Sequence, residues 1–265
     1  MNLILSRFTF HFSHYPIITI MYKHILLSLI AAMIFGATHA QSHQLRVLTY
    51  NVRNAKGLDE ATNYRRIADI LQTSKADVIA LQELDSVTYR SKQVDVLQKL
   101  SELTGMFAVY APAIDYNGGK YGVGVLSKEK PLSFRYLSLP GREEKRVLLL
   151  VEFERYVFLC THLSLTEEDR INTVNIINQE VDAYKKPVLL AGDLNDLPSS
   201  SFMQSLQQQW TLLSGTGYSF PANKPDRCID YILTRKNDPF KVKSAIVMDE
   251  PVASDHRPVL VELEW

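Results

Sequence analysis

The chain has 265 residues, 46% hydrophobic and 22% charged, which is enough apolar material for a sizeable core and argues against intrinsic disorder. Lys plus Arg and Asp plus Glu both number 29, so no global positive field marks a tight nonspecific nucleic-acid binder. A nuclease is not excluded, because a metal and a local patch can hold phosphates without overall positive charge.

At the amino terminus, Lys23 and His24 precede an apolar run from Ile25 to Gly36, followed by Ala37-Thr38-His39-Ala40. This pattern reads as an export signal cleaved after Ala40, with translation starting at Met21 rather than at Met1. The run is roughly a dozen residues, short of the ~20 a spanning helix needs, so no stable membrane span is expected once the signal is gone. Residues 1–40 are therefore a leader, and residues 41–265 form the working chain, exported to the periplasm or beyond. Losing Arg7 and Lys23 with the leader leaves that chain a formal charge of about −2.

From Leu45 onward, short β-rich runs alternate with helical patterns, and no linker, repeat or low-complexity stretch divides them, so 41–265 reads as one domain. Strands are expected over Leu45 to Asn51, Val78 to Gln82, Phe107 to Tyr110, Gly122 to Leu126, Val147 to Phe153, Val157 to His162, Val188 to Ala191, Ile229 to Leu233, Val242 to Val247 and Val259 to Leu263. Tyr64, Ile67, Ala68 and Leu71 mark one helix, and Val96, Leu100 and Leu103 a second ending before Gly105. A third carries Ile171, Val174, Ile177 and Val181, starts at Thr166 with Asp169 three positions on, and ends before Pro187. Ser199 to Ser201 can cap a short fourth. Such a mixture suits a sheet-on-sheet core flanked by helices.

Polar residues gather where these strands run out into loops. Asn51 ends the first strand with an amide that can coordinate a metal or fix a carboxylate. Glu83 ends a buried strand with a carboxylate that is costly unless a cation or a salt bridge compensates it. His162 closes a hydrophobic run and can donate a proton or a hydrogen bond to a phosphate. Asp193 and Asn195, two apart, can face one point if the chain stays extended, pairing water activation with phosphate-oxygen binding. Asp230 can accept from one nitrogen of His256 and leave the other free, while Asp255 faces the metal side. Each segment alone has a plainer reading as a turn, a salt bridge or a structural histidine.

Taken in order, Asn51, Gln82-Glu83, Thr161-His162-Leu163, Gly192-Asp193-Leu194-Asn195, Ile229-Asp230-Tyr231-Ile232 and Ser254-Asp255-His256-Arg257-Pro258 resemble the motifs of the endonuclease/exonuclease/phosphatase superfamily. The resemblance spans essentially the whole chain after the leader. It implies an α/β fold of the α+β type: a four-layered sandwich of two packed mixed sheets flanked by helices, like deoxyribonuclease I. It also implies a hydrolase dependent on Mg²⁺ or Mn²⁺, with Glu83 ligating the metal and Asn51 and Asp255 completing its surroundings. By the same resemblance Asn195 holds phosphate oxygens, Asp230 orients His256, and His162 acts at the phosphoryl centre. The proton of the attacking water goes to Asp193 or His256, with one or two metals taking part. Within Arg142-Glu143-Glu144-Lys145-Arg146, the resemblance assigns Glu144 to support His162, with Glu143 or a solvated charge run as alternatives.

The implied substrate is a phosphate ester: a small molecule, a lipid headgroup or a nucleic acid. A monomeric phosphoesterase, a nuclease and a catalytically idle phosphate-binding module remain distinct readings. Two regions bear on that choice. Ala113 to Tyr121 reads as a loop able to present Lys120 and an aromatic ring, and Arg142, Lys145, Arg146 and Arg170 as a basic rim diluted by neighbouring acids. Cys160 and Cys228 lie two residues before His162 and Asp230; they are either two buried thiols or, after export, a disulfide.

Overall fold

The computed structural model describes residues 43–265, so the leader assigned to residues 1–40 lies outside the described residues. The twelve strands are β1 (Gln44–Asn51), β2 (Val78–Ser86), β3 (Phe107–Tyr116), β4 (Gly119–Ser127), β5 (Ser133–Leu139), β6 (Arg146–Glu152), β7 (Val157–His162), β8 (Val188–Asp193), β9 (Trp210–Leu212), β10 (Asp230–Arg235), β11 (Lys241–Val247) and β12 (Val259–Glu264). The helices are α1 (Tyr64–Ser74), α2 (Val96–Thr104), α3 (Glu167–Asp182) and α4 (Ser201–Leu206).

Two six-stranded mixed sheets result, ordered β11-β12-β1-β2-β4-β3 and β5-β6-β7-β8-β10-β9. Side chains alternate along each strand, and the burial follows that alternation. Val47, Ala80, Val125, Leu149, Phe158, Leu189 and Ile232 fill the space between the sheets. The opposite face of the first sheet, with Leu48, Ile79 and Leu126, packs on Ile67, Leu71, Val96 and Leu100 of α1 and α2. The outer face of the second, with Leu148, Leu159 and Leu190, packs on Val174, Ile177 and Phe202 of α3 and α4. The four layers expected from the sequence are therefore present. Among the described residues no helix is long and apolar enough to cross a membrane.

Strand direction positions the site. The crossovers β1-α1-β2 and β7-α3-β8 make parallel pairs, so their C-terminal ends coincide, with Asn51 beside Gln82 and His162 beside Asp193. β10 runs antiparallel to β8 and begins where β8 ends, pairing Asp230 with Asp193. β12 runs antiparallel to β1, so the residues just before Val259 lie at the same rim.

Several sequence expectations need correction. The strands at β5 and β9 were missing from the pattern; β5 is an edge strand with Phe134 and Tyr136 turned to solvent, so it lacks a buried alternation to read. The stretch from Ala113 to Tyr121 is no loop: β3 and β4 meet at Asn117-Gly118, both at positive φ, in a two-residue hairpin. Lys120 there is tied to Asp115. Ile171 faces outward, 39% exposed, while Arg170 and Thr173 are buried in its place. Thr166 precedes α3 without a side-chain cap, because its hydroxyl donates to Glu143. Ser200 does cap α4, accepting from the Met203 amide. Cys160 and Cys228 are free thiols in different cores, the first between the sheets and the second under α4.

Gly192 is required by a close approach, since a Cβ there would stand 2.0 Å from the Thr161 carbonyl oxygen on β7. Gly192→Ala should therefore lower stability by about 2 kcal/mol or more, measured by urea denaturation, because the β7–β8 ladder would have to separate beside His162 and Asp193.

Candidate active site

The rim where these strand ends meet joins side chains from both sheets. Asn51, from the first sheet, donates its amide to Glu83 Oε1 at 3.0 Å and to Asp193 Oδ2, in the second sheet, at 3.1 Å. Its Oδ1 accepts from the Arg53 backbone N–H at 3.1 Å. Asn51 thus fixes two carboxylates and keeps one lone pair for a further partner.

Glu83 reaches this point through a break in its strand. The β2–β4 register shifts between Leu81 and Leu84, and Glu83 sits at φ 61°, an uncommon conformation for a glutamate. Uninterrupted alternation would turn it toward the helix layer with Ile79 and Leu81, a place that Leu84 takes after the bulge. The bulge aims it at the rim instead. Burial raises its pKa above the usual carboxylate range, and the Asn51 amide only partly offsets this. No Lys, Arg or His nitrogen of the described residues lies within salt-bridge distance of it.

Asp193 lies between two imidazoles, His162 Nε2 at 3.5 Å and His256 Nε2 at 3.6 Å from Oδ2. Both separations are long for direct hydrogen bonds and suit a bridging water or substrate oxygen. The two rings are pushed in opposite directions. Burial depresses His162 to about 4, with Asp193 opposing and Arg146 assisting. His256 is buried too, but the charges of Asp230 and Asp193 and the Asp230 hydrogen bond overcome desolvation and lift it to about 10. Near neutral pH the site therefore holds one neutral imidazole and one imidazolium around one carboxylate, the kind of separation that assigns distinct proton-transfer roles.

His256 Nδ1 donates to Asp230 Oδ2 at 2.9 Å, and Ser219 Oγ donates to the same oxygen at 2.5 Å. Phe220 packs its ring on His256 with centroids 4.6 Å apart. Ser254 Oγ donates to the Asn51 carbonyl at 2.7 Å and stands 3.2 Å from Asp255 Oδ1, which moors the loop carrying His256 to the end of β1. Asn195 turns at φ 54°, so the chain is not extended from Asp193 as the sequence suggested. Its backbone N–H donates to Asp193 Oδ1 at 3.0 Å and its amide to the Leu163 carbonyl at 2.9 Å, leaving one amide hydrogen uncommitted.

Glu144 is the exception among the residues assigned from sequence. Its carboxylate meets Arg146 at 3.1 Å and is not within 4.0 Å of His162. The register that pairs Leu148 with Thr161 brings Val147, not a glutamate, opposite His162. Glu143 is committed elsewhere, accepting from Ser164 Oγ, the Leu165 amide and Thr166 Oγ1. The basic rim is partly neutralised among the described residues. Arg142 pairs with Asp169 and Glu168, and Arg170 is buried on Asp196 at 2.9 Å. Ser219 and Phe220 are not legible in the sequence because a lone serine or phenylalanine in a loop carries no periodic signal, whereas Ser254 stands in the last motif without an assigned role.

Two groups of ligand atoms compete for a cation. Asp193, Asp230 and His256 each offer one atom within 4.8 Å of the others, and Asp230 Oδ1 is buried without a partner. However, Asp230 Oδ2 is already engaged, accepting from His256 Nδ1 and Ser219 Oγ. Glu83, Asn51 Oδ1 and Asp255 form the better fit. Glu83 is partly buried with no cation within salt-bridge distance, Asp255 lies 3.9 Å from Arg53, and its charge adds to the upward push on Glu83. Hard oxygen donors in that state suit Mg²⁺ or Mn²⁺.

Residues 48–256 match the model of the Endonuclease/Exonuclease/phosphatase family. Among solved structures, the chain is similar to an endonuclease/exonuclease/phosphatase from Beutenbergia cavernae DSM 12333, at 23% identity and TM-score 0.70 over 83% of this chain and 71% of that one. It is also similar to a mannosyl-6-phosphatase from Bacteroides thetaiotaomicron, at 19% identity and TM-score 0.66 over 83% and 99%. A third similar structure is the human nocturnin catalytic domain, at 16% identity and TM-score 0.61 over 83% and 94%. At these identities the likeness concerns the fold. A search of curated proteins finds no match.

The depressed pKa of His162 makes stability depend on pH with a definite sign. Its folded value near 4 lies below the unfolded value of about 6.5, so the stabilisation from keeping the ring neutral is full above pH 6.5 and is lost as pH falls toward 4. Between pH 7 and 4.5 the urea midpoint of the native protein should fall further than that of His162→Gln; equal declines would contradict the assignment.

Proposed function

The chain belongs to the endonuclease/exonuclease/phosphatase family, a family of metal-dependent hydrolases of phosphoester bonds, and from that premise we propose that it is an exported, monomeric phosphoesterase acting on compact phosphate esters. The observation that carries the reading is the placement of Asp193 between a neutral His162 and a charged His256 at the rim shared by the two sheets.

Glu83, Asn51 and Asp255 would hold the divalent cation, which when bound supplies positive charge to the phosphoryl oxygens. Asp193 accepts the proton of a water attacking phosphorus in line. His256, kept cationic by Asp230, presents Nε2–H to the charge that develops on the phosphoryl group, and the free amide hydrogen of Asn195 binds a non-bridging oxygen. His162 Nε2 contacts the same centre without adding net charge. The bond between phosphorus and the leaving oxygen breaks, and that oxygen takes a proton from His256 or solvent. Because Asp230 sets both the orientation and the charge of His256, it acts as a positioning residue.

Two features favour a compact substrate over a polynucleotide. The rim arginines Arg142 and Arg170 are both paired with acids, which weakens any cationic track beside the site. One similar structure is described as a mannosyl-6-phosphatase, so sugar phosphates belong among the first substrates tested. The reading of residues 1–40 as a signal supports an enzyme working outside the cytoplasm.

Purified protein with Mg²⁺ or Mn²⁺ should hydrolyse a member of a panel of sugar phosphates, inositol phosphates, sphingomyelin and aryl phosphodiesters, and stop when the metal is chelated. Asp193→Ala and His256→Ala should each lower kcat by about 10²–10⁴-fold. Full activity in either variant would refute the mechanism, and metal-dependent plasmid nicking without small-ester turnover would move the assignment to a nuclease.

A further inference from the structure

The rim carries a cavity that the catalytic residues do not fill. Its volume is about 620 Å³, inside the range of about 300–1,000 Å³ that small-molecule sites occupy. One wall is the end of β3, with Ile114, Asp115 and Tyr116. The other is the connection from β5 to β6, with Arg142, Glu143, Glu144 and Lys145.

Strand direction sets this cavity beside the phosphoryl centre. β3 runs antiparallel to β4 and β4 antiparallel to β2, so Tyr116 closes β3 at the end where Glu83 stands on β2. β6 runs antiparallel to β7, so the residues before Arg146 lie at the end where His162 stands. Both walls are also joined to the site by direct contacts. Glu143 accepts from Ser164 Oγ at 2.7 Å and from the Leu165 amide at 2.6 Å, in the segment that follows His162. Ile114 pairs with Tyr121, which pairs on its other side with Asp85, two residues past Glu83. With strands about 5 Å apart, the cavity begins roughly 5–10 Å along the rim from Glu83 and His162.

The lining decides what fits. Two cationic side chains, Arg142 and Lys145, stand against the three carboxylates of Asp115, Glu143 and Glu144. Arg142 is committed to Asp169 and Glu168, Asp115 to Lys120, Glu144 to Arg146 and Glu143 to Ser164. Lys145 is exposed and has no carboxylate within salt-bridge distance among the described residues. A second anionic group on a ligand would meet an acidic excess here, whereas a hydroxyl can donate to a carboxylate and accept from an ammonium at once. Tyr116 adds a face for a carbon skeleton: its ring is 38% exposed, and the Arg90 guanidinium steadies it from 4.5 Å.

We propose that this cavity receives the leaving alcohol of the substrate, and that this alcohol is an uncharged, hydroxyl-rich ring such as a sugar. Tyr116 packs on the ring, while Lys145 and the wall carboxylates take its hydroxyls. The inference rests on the phosphoesterase reading and deepens it, since it makes the enzyme selective for sugar monophosphates over esters that carry a second phosphate.

The full chain loaded with Mg²⁺ is assayed on glucose and mannose 6-phosphates, on the corresponding 1,6-bisphosphates, and on p-nitrophenyl phosphate, whose leaving group has no hydroxyl-bearing ring to recognise. At least one hexose 6-phosphate should exceed its bisphosphate in kcat/KM by about tenfold or more. Tyr116→Ala and Lys145→Ala should each lower kcat/KM on that hexose ester about 3- to 10-fold, mainly through KM, and leave p-nitrophenyl phosphate within about twofold. Equal losses on both esters, no loss on the hexose ester, or a preference for the bisphosphates overturns the proposal. Hydrolysis of p-nitrophenyl phosphate or of its bis ester without turnover of either hexose 6-phosphate also overturns it, and leaves the phosphoesterase reading standing. Native protein that turns over none of these esters defeats both.

Discussion

Two contacts across the top of the sandwich hold the site together: the Asn51 amide on Asp193 and the His256 ring on Asp230. Asn51 ends a strand of the first sheet and His256 stands in the loop that enters β12 of that sheet, while Asp193 and Asp230 belong to the second. The geometry of the site therefore depends on how the two sheets stack, and that stacking is set well below the rim by interdigitated Val, Leu, Ala and Phe side chains. A close-packed interface of this kind deforms little, so apolar residues far from the rim fix the distance between polar groups that never touch them. The two parallel crossovers contribute the other half of the constraint by making strand ends, rather than strand middles, coincide.

Concentrating Glu83, Asp193, Asp230 and Asp255 at one rim creates a repulsion that the fold answers in different ways. Asp230 receives a proton-bearing imidazole and a serine hydroxyl. Asp193 receives two amide-type donors, from Asn51 and the Asn195 backbone. Glu83 receives one amide and remains the least compensated, which is also where the backbone takes its unusual φ. Strain and uncompensated charge thus fall on the same residue. A site that exists to bind a cation is expected to store its unfavourable energy where the cation would relieve it.

How far the sequence discloses this arrangement depends on whether a residue obeys a local period. Core strands such as β7 and β8 are legible because they are short continuous apolar runs, buried on both faces, whose polar termini stand out. The edge strand β5 is illegible because neither face is deeply buried, and the β3–β4 hairpin was overlooked although Asn117-Gly118 is itself a strong turn signal. The ordered motifs disclosed Asn51, Glu83, His162, Asp193, Asn195, Asp230, Asp255 and His256, all of which lie at the rim. Spacing failed where the chain departs from extension: Asn195 turns rather than following Asp193, and Glu83 escapes its alternation through a bulge. Glu144 was misassigned because a run of five charges offers no means of telling which side chain faces inward. In the fold only Arg146 of that run is buried, and the adjacent Val147 takes the place beside His162.

That burial of Arg146 alters the electrostatic character of the cleft. Its guanidinium pairs with Glu144 at 3.1 Å and brings a positive charge close to the acids of the rim. The same charge helps keep His162 neutral, since a second cation beside Arg146 and His256 would be disfavoured. The division of protons between the two histidines therefore depends in part on a guanidinium that meets neither ring in a hydrogen bond.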